Sequence, residues 1–434
     1  MTNEPHFPFL FSFVIFMKII FFMDKCTYIE LFAGVGGLHI GLDRGGNGFF
    51  KCVMANQWEP SSKDQFAANI YKKRFPDDLL INDDICKISG KDIDCDMLTG
   101  GFCCQDYSIV CNKSKSMGIE GKKGVLWWEV IRLITEMNHK PKYLLLENVD
   151  RMLISPAKQR GRDFALILQS LINLGYNIEW RVINAADYGM PQKRKRVFMF
   201  GFLKGEFEVK NPTKWLYEDG ILAKVFPVKK NDVGLWGLDG RVLDSNLVSL
   251  SNGFNKENIE EHPFENGGVV IDGKVYTNRL YPNYNGPFTV LGDILVKGDD
   301  RKLITPEYYI KDEDVKKWEY VKGHKEFKRT NKDGYEYTYS EGAMSFPDYL
   351  DRPARTLITS EVSSNPNRFT HVIRDPENGR LRRLIPIELE RIQMFPDNHT
   401  EGTTDKKRGF LMGNALVCGI VEKIGKELKN RICR

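Results

Sequence analysis

The chain has 434 residues, 42% hydrophobic and 28% charged, with a formal net charge of +5. This ordinary globular composition excludes a disordered or fibrous chain, and the length suits two or three domains. The mild positive charge permits a polyanionic partner without requiring one. Nine cysteines with no Cys-x-x-Cys pair speak against a zinc site and a secreted disulfide scaffold, leaving a reducing cytoplasm and no bound metal as the expectation.

The first segment is anomalous. From Phe7 to Met23 the chain is apolar except for Ser12 and Lys18. A signal peptide would carry positive charge ahead of the apolar stretch, where Glu4 and His6 stand instead. A membrane helix would want roughly 20 apolar residues without a lysine. The reading adopted is that residues 1–23 come from an upstream start, with Met17 or Met23 the true beginning, and that no segment enters a membrane.

Several short apolar runs follow, each ending in a loop of unusual composition. Tyr28 to Phe32 leads into Ala33-Gly34-Val35-Gly36-Gly37, and Cys52 to Ala55 leads into Asn56-Gln57-Trp58-Glu59. Met97 to Thr99 leads into Gly100-Gly101-Phe102-Cys103-Cys104-Gln105, and Tyr143 to Leu146 into Glu147-Asn148-Val149. Val197 to Phe200 reads as a further strand. Such runs suit buried parallel strands. Helical spacing lies between them, at Val125 to His139 and at Asp163 to Leu174, the latter stopped by Gly175. The alternation predicts an α/β fold with a doubly wound, mostly parallel sheet, whose ligands bind outside the carboxyl ends of the strands. The loops named above would then meet in one crevice.

After about Phe202 the pattern changes to glycine, asparagine, aromatic and charged residues with weak periodicity. We read residues 24–202 as a catalytic domain, 203–347 as a smaller strand- and loop-rich domain, and 348–434 as a return to the first. In that return, Pro386 opens a helix, and Leu416, Ile420, Ile424 and Leu428 form the stripe of a terminal one.

The chemistry-bearing residues sit in the loops. Gly34, Gly36 and Gly37, between a strand and a helix, would let a nucleotide-like cofactor approach the backbone, or would simply form a tight turn. Glu59 lies about where an acidic ribose ligand is found in dinucleotide sites, beside Trp58, whose ring can stack on a base. Asp84-Ile85 ends another expected strand. Cys104 follows two glycines and would need nearby positive charge to act as a thiolate. The run Gln192-Lys193-Arg194-Lys195-Arg196 would supply it, unless it is a solvated loop. Glu147 ends a run of leucines, a setting that raises a carboxyl pKa as a proton donor requires; the alternative is a helix cap.

Together these stretches resemble the DNA cytosine-5 methyltransferase family, of the bacterial restriction-modification type. The resemblance rests on six motifs in the family's order: Phe32 to Gly37, Gly100 to Gln105, Glu147-Asn148-Val149, Gln192 to Arg196, Arg352-Pro353-Ala354-Arg355-Thr356 and Gly413-Asn414-Ala415. It covers residues 27–202 and 350–430, and by position alone it implies that 203–347 is the family's target-recognition domain. It implies S-adenosyl-L-methionine as methyl donor, held by Phe32, Gly34, Gly36, Gly37, Trp58, Glu59, Asp84, Ile85, Gly101, Leu126 and Asn414. It implies Cys104 as nucleophile, Glu147 as proton donor, and Arg194 and Arg196 as holders of base and charge. Gln105, Ser108, Asn148 and Gln192 would contact the substrate. The implied substrate is double-stranded DNA with the target cytosine flipped out, acted on by a monomer in the bacterial cytoplasm at the nucleoid, with a cognate restriction endonuclease reading the same site.

Three departures from the family pattern stand out. Cys103 replaces a proline before the nucleophile, Asp106 replaces another, and Gln57 stands where an acidic ribose ligand is usual. Three rival readings remain: an RNA (tRNA) cytosine methyltransferase, a catalytically silent DNA-binding partner, and an NAD-dependent oxidoreductase suggested by the glycine loop alone. The large 203–347 insertion opposes the first, the retained Cys104, Glu147 and arginines the second, and the Gly-Gly ending and cysteine loop the third.

Overall fold

The computed structural model describes residues 25–60, 62–102, 125–229, 239–330 and 334–433. Its organising element is strand β1 (Cys26–Leu31), whose side chains are almost all buried because both faces are covered. Ile29 and Leu31 point into a core shared with Trp127, Leu133, Phe164 and Leu168, from the helices Val125–Glu136 and Arg162–Asn173. Tyr28 points the other way, into a core shared with Leu38 and Leu42 of helix Gly37–Gly46 and Ile420 and Ile424 of helix Cys418–Ile432. The period of two along the strand thus feeds two separate helical layers. The first and last helices pack very closely, since a Cβ on Gly41 would lie 2.4 Å from Val421 Cβ and one on Gly45 would lie 2.3 Å from the Glu422 carbonyl.

Beside β1 lie β2 (Phe50–Asn56), β3 (Leu80–Ile81), β4 (Met97–Gly101), β5 (Tyr143–Val149), β6 (Tyr176–Asn184), β7 (Lys195–Leu203), β8 (Arg241–Val242), β9 (Gly267–Ile271) and β10 (Lys274–Asn278). They form one sheet in the order β3-β2-β1-β4-β5-β7-β6-β9-β10-β8. The chain winds outward from β1 in one direction and from β4 in the other, so the switch point, where such sheets bind ligands, lies between those strands.

The expectation of a doubly wound sheet holds for β1 to β5, which are all parallel. The far half is antiparallel: β7 inserts between β5 and β6 and runs opposite to both, and β9, β10 and β8 continue the alternation. The sheet is therefore mixed rather than mostly parallel. Apolar strand runs look alike in either direction, so direction was not readable from them. The reversal matters for the site, because it brings the start of β7 to the carboxyl edge of β5, with Arg196 opposite Val149.

Part of the 203–347 stretch extends this central sheet, since β8, β9 and β10 all come from it. Val269, Val270 and Ile271 are buried in its two cores. The same stretch also carries helix Asp312–Lys322 and a separate two-stranded ribbon, β11 (Lys325–Thr330) with β12 (Glu336–Glu341). A short hairpin, β13 (Val372–Arg374) with β14 (Leu381–Arg383), precedes helix Pro386–Ile392, which begins with proline in its first turn as expected. Among the described residues no helix is long and apolar enough to cross a membrane.

Candidate active site

At the carboxyl edge of the parallel strands lies a cleft of about 1480 Å³. Its first wall is the loop leaving β1. Phe32 has φ 56° and Gly34 φ 58°, a left-handed conformation that is unusual for an aromatic residue and persists only where its surroundings enforce it. The enforcing contacts come from the end of β2 and the residue after it: Ala33 N–H donates to Asn56 O (3.0 Å) and Gly34 N–H to Gln57 Oε1 (2.7 Å). A Cβ at Gly34 would meet nothing within 4 Å, so this part of the loop is an open cradle, whereas one at Gly36 would run into the Phe75 ring at 2.3 Å. Gly34 and Gly37 accordingly line the cleft, and Gly36 is a packing residue behind it.

Phe32, Trp58, Glu59, Gly101, Leu126 and Asn414 line the same cleft. Trp58 is 37% exposed, a ring available at the mouth. Burial raises the Glu59 carboxyl pKa, assisted by Asp64 and opposed by Lys407. Beneath the cradle, Glu30 also reaches the cleft wall. It is fully buried, which pushes its pKa up to about 7, and among the described residues nothing donates to its Oε1. A concave site with an open glycine cradle, a ring at its mouth and an unpartnered carboxylate oxygen below fits an adenosine-bearing cofactor with a cationic amino-acid end.

Asp84 and Ile85 are not among the residues lining the cleft. Strand β3 ends at Ile81, sooner than expected, and Asp84 instead caps a short 3-10 turn by accepting from Cys86 N–H (3.0 Å). Ile85 is buried in the core beside Trp127 and Leu98.

The second wall is built by β4, β5 and β7. Gly101 sits opposite Glu147, and a Cβ there would crowd Glu147 Oε2 at 3.3 Å. Arg196 Nε lies 2.9 Å from Glu147 Oε1. Burial raises the Glu147 pKa, while Arg196 and then Arg194 oppose the rise. Arg194 is 2% exposed and donates to Leu357 O and Gly413 O, both at 3.0 Å. Its pKa falls to about 9, first from burial and then from repulsion by Arg196.

Asn148 lines the cleft too, and its Nδ2 donates to Phe102 O (2.9 Å), fixing the chain as it leaves β4. Gln192, expected to contact substrate, is instead fully buried behind the wall. Its Oε1 accepts from Leu357 N–H (3.0 Å) and its Nε2 donates to Ile392 O (3.4 Å). An amide whose two ends are both engaged by backbone serves to hold the 354–357 segment against the site. Cys104, Gln105 and Ser108 lie outside the described residues, as does Cys103.

The cleft also brings together residues that sequence reasoning missed. Arg151, Arg160, Lys406 and Lys407 line it and make its mouth cationic, as a polyanionic substrate would require. Lys406-Lys407 was visible as a basic pair, but nothing in the sequence placed it near Glu147.

A family model for C-5 cytosine-specific DNA methylases matches residues 26–430. The chain belongs to that family. The methylase is 44% identical to the type II methyltransferase M.Sau3AI of Staphylococcus aureus over 419 residues, spanning 94% of this chain and 96% of that protein. It is 28% identical to M.NlaIV of Neisseria lactamica, over 94% of this chain and 99% of that one. M.HhaI of Haemophilus parahaemolyticus is 32% identical over 64% of this chain and 80% of its own. The solved structures of Entamoeba histolytica EhMeth and S. pombe Dnmt2 match at 16% identity, with TM-scores of 0.55 and 0.56. They cover 94% and 92% of the methylase and 99% and 96% of themselves. At that identity the likeness is one of fold.

Proposed function

We propose that the methylase modifies C5 of a cytosine flipped out of a specific duplex sequence, and that it protects host DNA in a restriction-modification system. The observation that carries the chemistry is the mostly buried Glu147, raised in pKa by burial and paired with Arg196 at the wall of a cleft that also holds the open glycine cradle. Phe32, Trp58 and Asn414, which line the cleft beside that cradle, would hold S-adenosyl-L-methionine, which would supply an electrophilic methyl group.

The residues of the chain do the rest. Cytosine C5 is a poor nucleophile. Attack of the Cys104 thiolate on C6, with Glu147 delivering a proton to N3, makes C5 an enamine carbon able to take the methyl group. Removal of the C5 proton then expels the thiolate. Arg196 holds the Glu147 carboxylate in place, and Arg194 fastens the cleft wall through Leu357 and Gly413. Flipping the base costs a few kcal/mol, which cationic contacts from Arg151, Arg160 and Lys407 to the duplex backbone would offset. One chain carries every proposed catalytic residue, which supports action as a monomer; the likeness to bacterial type II methyltransferases supports a bacterial cytoplasm and a cognate endonuclease acting on the same DNA.

A duplex with 5-fluorocytosine at the target tests this directly, because fluorine blocks the final elimination. We expect a trapped covalent adduct with the wild type and with Cys103→Ser, and none with Cys104→Ser. Adduct formation by Cys104→Ser would overturn the assignment. Bisulfite sequencing of DNA from cells expressing the chain would give the reaction and its site together.

A further inference from the structure

The ribbon of β11 and β12 has no structural reason to exist in isolation. Among the described residues it pairs with no other strand, and most of its side chains are exposed. A two-stranded hairpin in water is marginal at best, yet this one is firmly rooted. The mostly buried Arg368 donates to Val321 O (3.3 Å) and Gly323 O (3.1 Å) ahead of β11, and to Gly342 O just after β12. It also lies 3.5 Å from Glu341 Oε2. The buried Lys322 side chain locks that root from beneath through Thr370 O (2.6 Å) and Arg368 O (3.3 Å).

The root is tied to the active site by a short series of bonds. Arg355 donates to Phe369 O (3.0 Å), Lys193 N–H donates to the neighbouring Ala354 O (2.8 Å), and Arg194 holds Leu357 O. The ribbon therefore springs from the same wall that carries the catalytic arginines.

Its two faces differ. In register, Lys325, Phe327 and Arg329 lie opposite Glu341, Tyr339 and Tyr337. One face is thus aromatic and cationic, and its single acid is engaged by Arg368. Phe327 and Tyr339 stack at 5.4 Å, and the Arg329 guanidinium lies 3.9 Å from the Tyr339 ring centroid. The other face carries Glu326, Lys328 and Thr330 opposite Ser340, Thr338 and Glu336. Ring stacking pre-orients the planar guanidinium without consuming its in-plane donors, and no carboxylate pairs with it among the described residues.

We propose that this ribbon enters the major groove of the DNA substrate, with Arg329 reading a guanine edge and the rings of Phe327 and Tyr339 holding it in place. The inference rests on the DNA-methylating reading above. A two-stranded ribbon fits the major groove, and arginine pairs bidentately with guanine O6 and N7. Strands of six residues span about 20 Å, enough to cross the groove from a root on the catalytic wall.

The test uses the full-length enzyme on a library of randomised duplexes, read by bisulfite sequencing, with thermal melting of each variant. Arg329→Ala and Arg329→Lys should both relax the preference at one guanine by about tenfold or more, with the melting temperature unchanged. The lysine keeps the charge and loses the fork, so a phosphate-contacting Arg329 would tolerate it. Lys328→Ala, on the opposite face, should leave the preference intact. Unaltered preference in both Arg329 variants, or a uniform fall on every sequence, overturns the ribbon assignment while leaving the methylating reading in place. A wild-type enzyme that methylates no duplex overturns that reading, and the ribbon assignment with it.

Discussion

Arg196 and Glu147 form an ion pair at the wall of the cleft, Nε to Oε1 at 2.9 Å, across the antiparallel junction between β5 and β7. The positive charge favours the ionised carboxylate, while burial favours the acid, and burial is the larger influence. Removing the arginine removes the opposing effect. Arg196→Met should therefore raise the Glu147 pKa further and move the alkaline limb of the single-turnover rate to higher pH, while the maximal rate falls. A limb that stayed in place would separate Glu147 from the titrating group.

Glu147→Gln keeps a hydrogen-bond donor near N3 but cannot transfer a proton. General acid catalysis contributes about 10²–10⁴-fold, so the turnover rate should fall by that order. DNA affinity, measured by fluorescence anisotropy, should change little. A variant retaining most of its rate would remove Glu147 from the mechanism.

Gly101 is a glycine because Glu147 stands over it. A Cβ there would lie 3.3 Å from Oε2, near enough to displace the carboxylate by a few tenths of an ångström while leaving the strand folded. For Gly101→Ala we expect a loss of about tenfold in turnover, since small misplacements of catalytic groups carry large rate penalties. Thermal melting should be close to wild type, and a large fall in melting temperature would mean that the glycine serves the sheet instead.

Gly413 offers the contrasting case. A Cβ there would meet the backbone of Ile358 and Thr359 at 2.4 Å, and backbone cannot rotate away. Overpacking of this kind costs about 1–3 kcal/mol, and it would strain the anchor between Gly413 O and Arg194. Urea denaturation of Gly413→Ala should show a lowered midpoint together with reduced activity.

Arg382 is fully buried between Asp375 (2.7 Å) and both oxygens of Glu388 (2.8 Å each). Arg382→Ala leaves the buried Glu388 without this cation and Asp375 with Arg301 alone, a change that costs about 3–5 kcal/mol. Burial acts to raise the Asp375 pKa, but its bonds from Arg301 and Arg382 outweigh that and hold it below the usual carboxylate value. A depressed carboxylate stabilises the fold above its unfolded pKa of about 3.9 and loses that contribution as pH falls. The wild type should therefore lose stability on acidification below about pH 4, and the variant should show a shallower acid slope. Equal slopes in urea titrations at several pH values would exclude Asp375 as a contributor.

Much of the site was legible before the fold was known. Phe32, Gly34, Gly37, Trp58, Glu59, Gly101, Glu147 and Asn148 all reach one cleft, because each follows or flanks an apolar run ending at the same edge; Leu126 and Asn414, which line it too, lie on helices and were implied by the family resemblance alone. Other expected residues lie off that cleft for local reasons. At Asp84 and Ile85, β3 stops at Ile81 and an Asp cap turns the chain inward. Gln192 lies within a motif whose arginines face the cleft, yet its own amide is consumed by backbone on the far side.

By itself the sequence determined the alternation of strands and helices in the first half of the chain, the order of the motif loops and the chemical character of each, since these depend on periodicities and turn residues a few positions apart. Only the tertiary structure decided that β7 runs against β5, so that Arg196 meets Glu147 rather than solvent. It also decided that Arg194 anchors Leu357 and Gly413, that Lys406 and Lys407 join the cleft, and that the Arg329 ribbon is rooted on the catalytic wall. Strand direction and partner choice arise from contacts between residues far apart in the chain, and side chains recorded only by type and position do not encode which distant backbone they will meet.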